Sequence, residues 1–153
     1  MMMQTTLTVK SFSSFLVRAA LATFLVASAS AASAATVTAN VSLSTQTMTV
    51  MHRGQVVGRW PVSTARRGKV TPTGSWSAKW LSRNHRSSRY NNAPMPYSVF
   101  YNGNYAVHGT NQTKKLGRPA SAGCIRLAPA HAAKLYSLVK AEGLSNTRII
   151  VRK

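Results

Sequence analysis

Apolar and polar positions alternate along most of the chain beyond residue 35. In VSLSTQTMTVMHRGQVVGRWPVST, Val41 and Leu43, then Met48 and Val50, alternate with polar or β-branched neighbours. The HRGQ segment separates two such extended runs, a pattern that predicts a β-hairpin. Pro72 and Gly74 in TPTG predict a tight turn into SWSAKW, closing a basic, turn-rich segment that starts at Ala65. Residues 82–96 show no sustained period and carry three arginines and two prolines, so they read as a long surface loop. YSVFY and YAVHG flank Asn102-Gly103-Asn104 and predict a second hairpin, with His108 at the end of its second strand. A second loop runs from Thr110 to Ala120. Beyond SAGCIRL, Pro129 suits the first turn of a helix whose apolar positions Ala132, Leu135, Tyr136 and Val139 recur at helical spacing, with Gly143 as its stop. TRIIV forms a final strand. With no internal repeat and no second periodic block, the chain reads as one mainly β domain with one principal helix.

The first residues follow a different pattern. SFLVRAALATFLVASAS is preceded by Lys10, interrupted by Arg18 and followed by the small-residue run AASAA. This has the form of a secretory signal peptide with Ala32-Ser33-Ala34 as the expected cleavage site and Ala29-Ser30-Ala31 as a rival. The apolar run after Arg18 is about half the ~20 residues that span a bilayer, which disfavours the alternative of a retained membrane anchor. The expected organisation is therefore a leader over 1–34 and a domain over 35–153, with no integral membrane span once the leader is removed.

Charge narrows the chemistry. The 153 residues include twenty Lys and Arg but a single acid, Glu142, and no aspartate. A two-carboxylate glycosidase, a Ser-His-Asp hydrolase and a hard-cation site are all excluded for want of carboxylates. Without Lys10 and Arg18 the net charge is still about +17, which implies an anionic partner: nucleic acid, an anionic membrane surface or an acidic wall polymer. Export disfavours nucleic acid, and the aromatic residues are not interleaved with basic ones as in single-strand binders.

Cys124 is the only cysteine, so it closes no disulfide within the chain. A free thiol in an oxidising compartment is a liability unless it is used. A buried structural cysteine and an intermolecular bridge are the plain alternatives. Nucleophilic use requires a base and donors for an oxyanion. His108, at a strand end sixteen residues upstream and followed by Gly109, is the best-placed base. His52 in a turn, His131 on the helix and His85 in the basic loop read as solvated surface residues, although His85 could line a site. A backbone carbonyl, for which Gly109 is a candidate, can orient the imidazole in place of the missing aspartate, and neighbouring positive charge should lower the thiol pKa. Gly123 lets the backbone approach a substrate closely. Arg126 is suited either to capping backbone carbonyls or to meeting a substrate carboxylate. The paired ligand spacings of a zinc site are missing, so neither a metal nor a cofactor is expected.

His108-Gly109-Thr110, the loop NQTKKLG, and Ser121-Ala122-Gly123-Cys124-Ile125-Arg126 resemble the signature of the bacterial peptidoglycan L,D-transpeptidases with the YkuD catalytic domain. MTVMHRGQVVGRWPVST, the TPTG turn and PMPYSVFY extend the resemblance over residues 40–152. It implies a mainly β, sandwich- or barrel-like catalytic domain with one principal helix after the cysteine. It also implies a periplasmic or cell-envelope enzyme, a monomer, acting on peptidoglycan stem peptides. Carried over by residue, Cys124 is the nucleophile, His108 the base and later the acid, Gly109 O the orienting group, and the Gly123 and Cys124 amides the oxyanion donors. Ser121, Arg126, Met95 and Tyr97 are the expected substrate-binding residues. The acyl acceptor would be a second stem or an envelope protein, while water would make the protein an L,D-carboxypeptidase. A cationic wall-binding module of weak or no activity is the competing expectation. Where the family usually has histidine, this chain has Ala122.

Overall fold

The computed structural model of the chain describes residues 34–153, so the expected leader falls almost wholly outside it. Nine strands form two sheets. In the first, β1 (Val37–Ser42) lies between β2 (Thr47–His52) and β9 (Thr147–Arg152), with β3 (Gln55–Pro61) at one edge and β4 (Gly74–Ser77) at the other. The second runs β5 (Trp80–Arg86), β6 (Pro94–Asn102), β7 (Tyr105–Gly109), β8 (Ile125–Leu127). The one α-helix among the described residues, α1 (Pro129–Glu142), packs against β6 and β7 and reaches β1. Among the described residues, no helix is long and apolar enough to cross a membrane.

Period-two burial explains the sheets. Val37, Ala39 and Val41 of β1, Met48 and Val50 of β2, and Ile149 and Val151 of β9 all point into one core. Val99, Tyr101, Val107, Ile125 and Leu127 enter the same core from the second sheet. Ala132, Leu135 and Val139 bring one stripe of α1 to it, as their spacing predicts. Pro129 opens the helix and Gly143, at φ 97°, ends it, its N–H bonding Val139 O. TRIIV is β9, parallel to β1.

Both predicted hairpins form, β2–β3 and β6–β7. In the first, Arg53 (φ 49°) and Gly54 (φ 79°) both take left-handed conformations, the pairing a two-residue type I′ turn requires. The run starting at Val41 is not continuous with it, because Leu43 lies in a turn that separates β1 from β2.

The long loop expected over 82–96 is instead largely strand. Ser82, Asn84, His85 and Arg86 of β5 pair with β6, and only residues 87–93 turn between them. β5 is an edge strand, largely solvated, and such a strand needs no apolar alternation. Pro94 and Pro96 fall in the part of β6 that has no partner in β7, where a missing N–H breaks no second ladder.

None of the three histidines expected to be solvated is fully exposed, and His85 packs beside the cavity described below. His131 stacks on Trp60 with centroids 4.8 Å apart, its Nδ1 buried. His52 Nε2 lies 2.8 Å from Glu142 Oε1, which also accepts from Arg53 Nη2 at 3.0 Å. The chain's one acidic side chain thus ties the end of α1 to the β2–β3 hairpin.

Leu135 is fully buried in the core, between helix and sheet. Leu135→Ala is expected to destabilise the domain by about 2–5 kcal/mol, read as a shift of the denaturant midpoint with little change in its slope.

Candidate active site

The site is built on one face of the second sheet. β7 and β8 are parallel, with Val107 opposite Ile125 and His108 opposite Arg126. Because side chains alternate along a strand, Ala106 and His108 of β7 and Cys124 and Arg126 around β8 fall on the face opposite the core. Phe100, paired with Ala106 from β6, joins them. Met95, Phe100 and Ala106 form a small apolar cluster against which the Cys124 side chain packs. A cavity of about 620 Å³ opens over this face, lined among others by Met95, Phe100, His108, Ser121, Cys124 and Arg126.

His108 is buried, and its Nδ1 donates to Gly109 O at 2.7 Å. The carbonyl can only accept, so the bond fixes the tautomer with hydrogen on Nδ1 and leaves Nε2 as the basic nitrogen. Gly109 sits in close quarters: an added Cβ would lie 3.1 Å from the Pro96 ring and 3.3 Å from Pro129 Cα. No group of three or more His, Cys, Asp or Glu side chains among the described residues is placed to hold a metal.

Burial, more than neighbouring charge, sets the protonation of the pair. It drives the His108 pKa down to about 4, aided by the Arg126 and His85 charges and opposed by the bond to Gly109. It also pushes the Cys124 thiol above its ordinary value, against the pull of the Ala106 backbone and Arg126. The expectation of a thiol acidified by its basic surroundings is therefore corrected. At neutral pH the resting groups are therefore a thiol, whose Sγ lies 3.7 Å from Asn104 O, and a neutral imidazole.

The loop before Cys124 is held by hydroxyls. Ser121 Oγ donates to Cys124 O at 2.6 Å and accepts the Gly123 N–H at 3.0 Å, while Thr71 Oγ1 donates to Gly123 O at 2.7 Å. Gly123 has φ 140°, and a Cβ there would meet the Tyr105 ring at 2.7 Å and Val70 O at 2.9 Å. Only glycine fits. Its amide, however, is occupied by Ser121, so the oxyanion role expected of Gly123 N–H is corrected: of the two expected donors, the Cys124 amide is left.

Of the remaining expected residues, Met95 and Ser121 line the cavity, although Ser121 is buried and its hydroxyl is committed to the loop. Arg126 is half-buried, with Nη1 3.3 Å from Gln112 Oε1. Tyr97 lies away from the cavity. Its φ is 56°, its ring meets Tyr136 edge-on at 5.9 Å, and Arg83 lies over it at 5.8 Å. His85 does line the cavity, edge-on to Trp80 and Phe100, whose rings stack. Trp80, Phe100, Tyr105, Arg66 and Gln112 were not anticipated. For Phe100 a signal existed, since the alternation of Val99, Phe100 and Tyr101 puts it on the His108 face once YSVFY and YAVHG are paired. Arg66 arrives through loop pairing that no local pattern reveals.

These protonation states predict the pH dependence. The His108 imidazole should lose its proton as pH passes about 4 and show no titration near 6.5, as followed by its NMR chemical shift. Stability is linked to the same proton: a histidine protonated less readily when folded than when unfolded loses stability as pH falls from 6.5 to about 4. His108→Asn should flatten that part of the stability curve, as measured by denaturant titrations between pH 4 and 7.

Comparison with known proteins agrees with this geometry. The family model of the L,D-transpeptidase catalytic domain, YkuD, matches residues 36–151. An L,D-transpeptidase of Mycobacterium tuberculosis H37Rv superposes with a TM-score of 0.70 at 24% identity, over 77% of this chain and 58% of that one. L,D-transpeptidase 3 of Mycobacterium tuberculosis, solved with a faropenem-derived adduct, gives 0.68 at 22% identity, over 77% and 60%. The Stackebrandtia nassauensis enzyme gives 0.66 at 26% identity, over 76% and 55%. This chain thus spans about three-fifths of the length of the solved proteins it resembles. No curated protein sequence matches it. With a two-sheet, one-helix fold, a Cys124–His108 face and a family match over nearly all of the described residues, the chain belongs to the YkuD family of L,D-transpeptidase catalytic domains.

Proposed function

We propose that the protein is a peptidoglycan L,D-transpeptidase that works through an acyl-enzyme on Cys124. The observation that carries this reading is the placement of Cys124 and a carbonyl-oriented, neutral His108 on one sheet face under one cavity. In the first half-reaction His108 Nε2 takes the Sγ proton as sulfur attacks the carbonyl of the third residue of a tetrapeptide stem. The Cys124 amide donates to the oxyanion. Collapse breaks the bond to the terminal D-alanine, whose amine leaves with the proton from His108, and a thioester remains. In the second, an amine of another stem attacks the thioester, His108 accepts its proton, and the thiol is restored as a 3-3 cross-link forms. An envelope protein offering an amine is an alternative acceptor, and water would give an L,D-carboxypeptidase.

Such a pair needs no carboxylate, which suits a chain with one acid. Thiol chemistry tolerates that loss better than serine chemistry, because the thiol is intrinsically more acidic and its anion more nucleophilic. Ala122 lines the cavity where the family usually has histidine, so any contribution of a second imidazole to acceptor positioning is absent. The reading places the protein in the cell envelope, as a monomer with peptidoglycan as its partner.

The purified protein, incubated with a disaccharide-tetrapeptide, should release D-alanine, and a carbapenem should add its mass to Cys124. Cys124→Ala should abolish both, and His108→Asn should slow acylation by about 10²-fold or more. If the wild-type protein gives neither product, the catalytic reading is wrong. An effect on peptidoglycan that survives Cys124→Ala would establish the wall-binding alternative.

A further inference from the structure

The cavity is lined by three arginines, Arg89 on the β5–β6 turn and, beside the loop that carries Cys124, the pair Arg126 and Arg66. The two of that pair come from different segments, and backbone hydrogen bonds bring the segments together. Ser63 and Arg126 exchange N–H···O bonds in both directions, at 3.1 and 2.9 Å, and the Arg66 amide donates to Ser121 O at 2.9 Å. Residues 63–66 are thereby stitched along 121–126. Arg126 Nη1 reaches the neutral Gln112 Oε1 at 3.3 Å and Arg66 Nη1 reaches Ser121 O at 3.4 Å. No side-chain carboxylate balances either charge, because the only one in the chain, Glu142, is held by His52 and Arg53. Burial, together with the Arg66 charge, lowers the Arg126 pKa, although Cys124 opposes this. Two like charges on one partly desolvated wall are unfavourable until an anion joins them, and a planar guanidinium pair is well matched to a carboxylate.

We propose that Arg66 and Arg126 form a carboxylate-binding site in the cavity wall, and that it takes the terminal carboxylate of the donor stem. This rests on the acyl-transfer reading for the identity of the peptide. The spacing selects the carboxylate. Arg126 is two residues past Cys124 on the same face, a strand distance of ~7 Å. In a stem cut before its last residue, the terminal carboxylate lies about one residue, ~3.5 Å, from the attacked carbonyl. The long Arg126 side chain, anchored in the same wall, can span the remaining gap to a hydrogen bond with that carboxylate. The site would thus measure one residue beyond the scissile bond, favouring a tetrapeptide end over an internal or amidated position. Diaminopimelate at the third residue carries a second carboxylate that could compete for the same pair.

Calorimetric titration of Cys124→Ala protein separates these possibilities without turnover. The probes are a tetrapeptide with a free carboxyl end, its C-terminal amide, and a version with lysine in place of diaminopimelate. The free acid should bind about tenfold or more tighter than the amide, the lysine peptide should keep that affinity, and the preference should shrink with added salt. Adding Arg66→Gln, an exposed position, should bring the acid and the amide to similar affinity while the circular dichroism spectrum and melting temperature stay the same; Arg126→Gln should do likewise. Equal binding of acid and amide, an unchanged ratio in Arg66→Gln, a loss confined to the lysine peptide, or no binding of any stem would each overturn the assignment. D-alanine release by the protein with Cys124 intact tests the acyl-transfer reading separately, so either can fail alone.

Discussion

The parallel pairing of β7 with β8 is the contact on which the site depends. Its register puts His108 beside Arg126 and Gly109 beside Leu127, so that Cys124, one residue before β8, emerges on the face His108 shares. A slip of one residue would turn every side chain of β8 over, burying Arg126 in the core and lifting Ile125 and Leu127 out of it. The energy that forbids this slip is hydrophobic: Val107, Ile125 and Leu127 are all fully buried. The position of the chemistry is therefore fixed by the packing on the opposite side of the same two strands.

Scarcity of carboxylates shapes the rest of the site. An imidazole held by a carbonyl is oriented without gaining a negative neighbour, so burial lowers its basicity and the bond to Gly109 O offsets only part of that. The same burial keeps the thiol protonated at rest. The two groups therefore rest as neutral thiol and neutral imidazole, in contrast to a preformed thiolate and imidazolium. The only acid is spent on architecture, joining the end of α1 to the β2–β3 turn.

Loops supply what the strands cannot. Residues 63–71 serve as a brace for the loop before Cys124, through Ser63 and Arg66 backbone bonds and the Thr71 hydroxyl, while Ser121 ties Gly123 and Cys124 to each other. The β5–β6 ribbon contributes Trp80, His85, Met95 and Phe100 to the cavity. An edge ribbon paired on one side only can extend past the sheet and form a wall.

The amino-acid sequence by itself determined the two hairpins, the helix with its Pro129 start and Gly143 stop, the final strand, and the pairing of Cys124 with His108 as candidate nucleophile and base. Each rests on local periodicity, turn chemistry or the bare inventory of reactive groups, which act over short stretches of chain. β5 escaped it because an edge strand is stabilised by cross-strand pairing with β6 and carries no apolar alternation of its own. The occupied amide of Gly123, the separation of Tyr97 from the cavity, the stacking of His131 on Trp60 and the arrival of Arg66 beside Arg126 were decided only by tertiary structure. So were the protonation states at the site, because desolvation depends on what the fold packs around a group and has no counterpart in the order of residues.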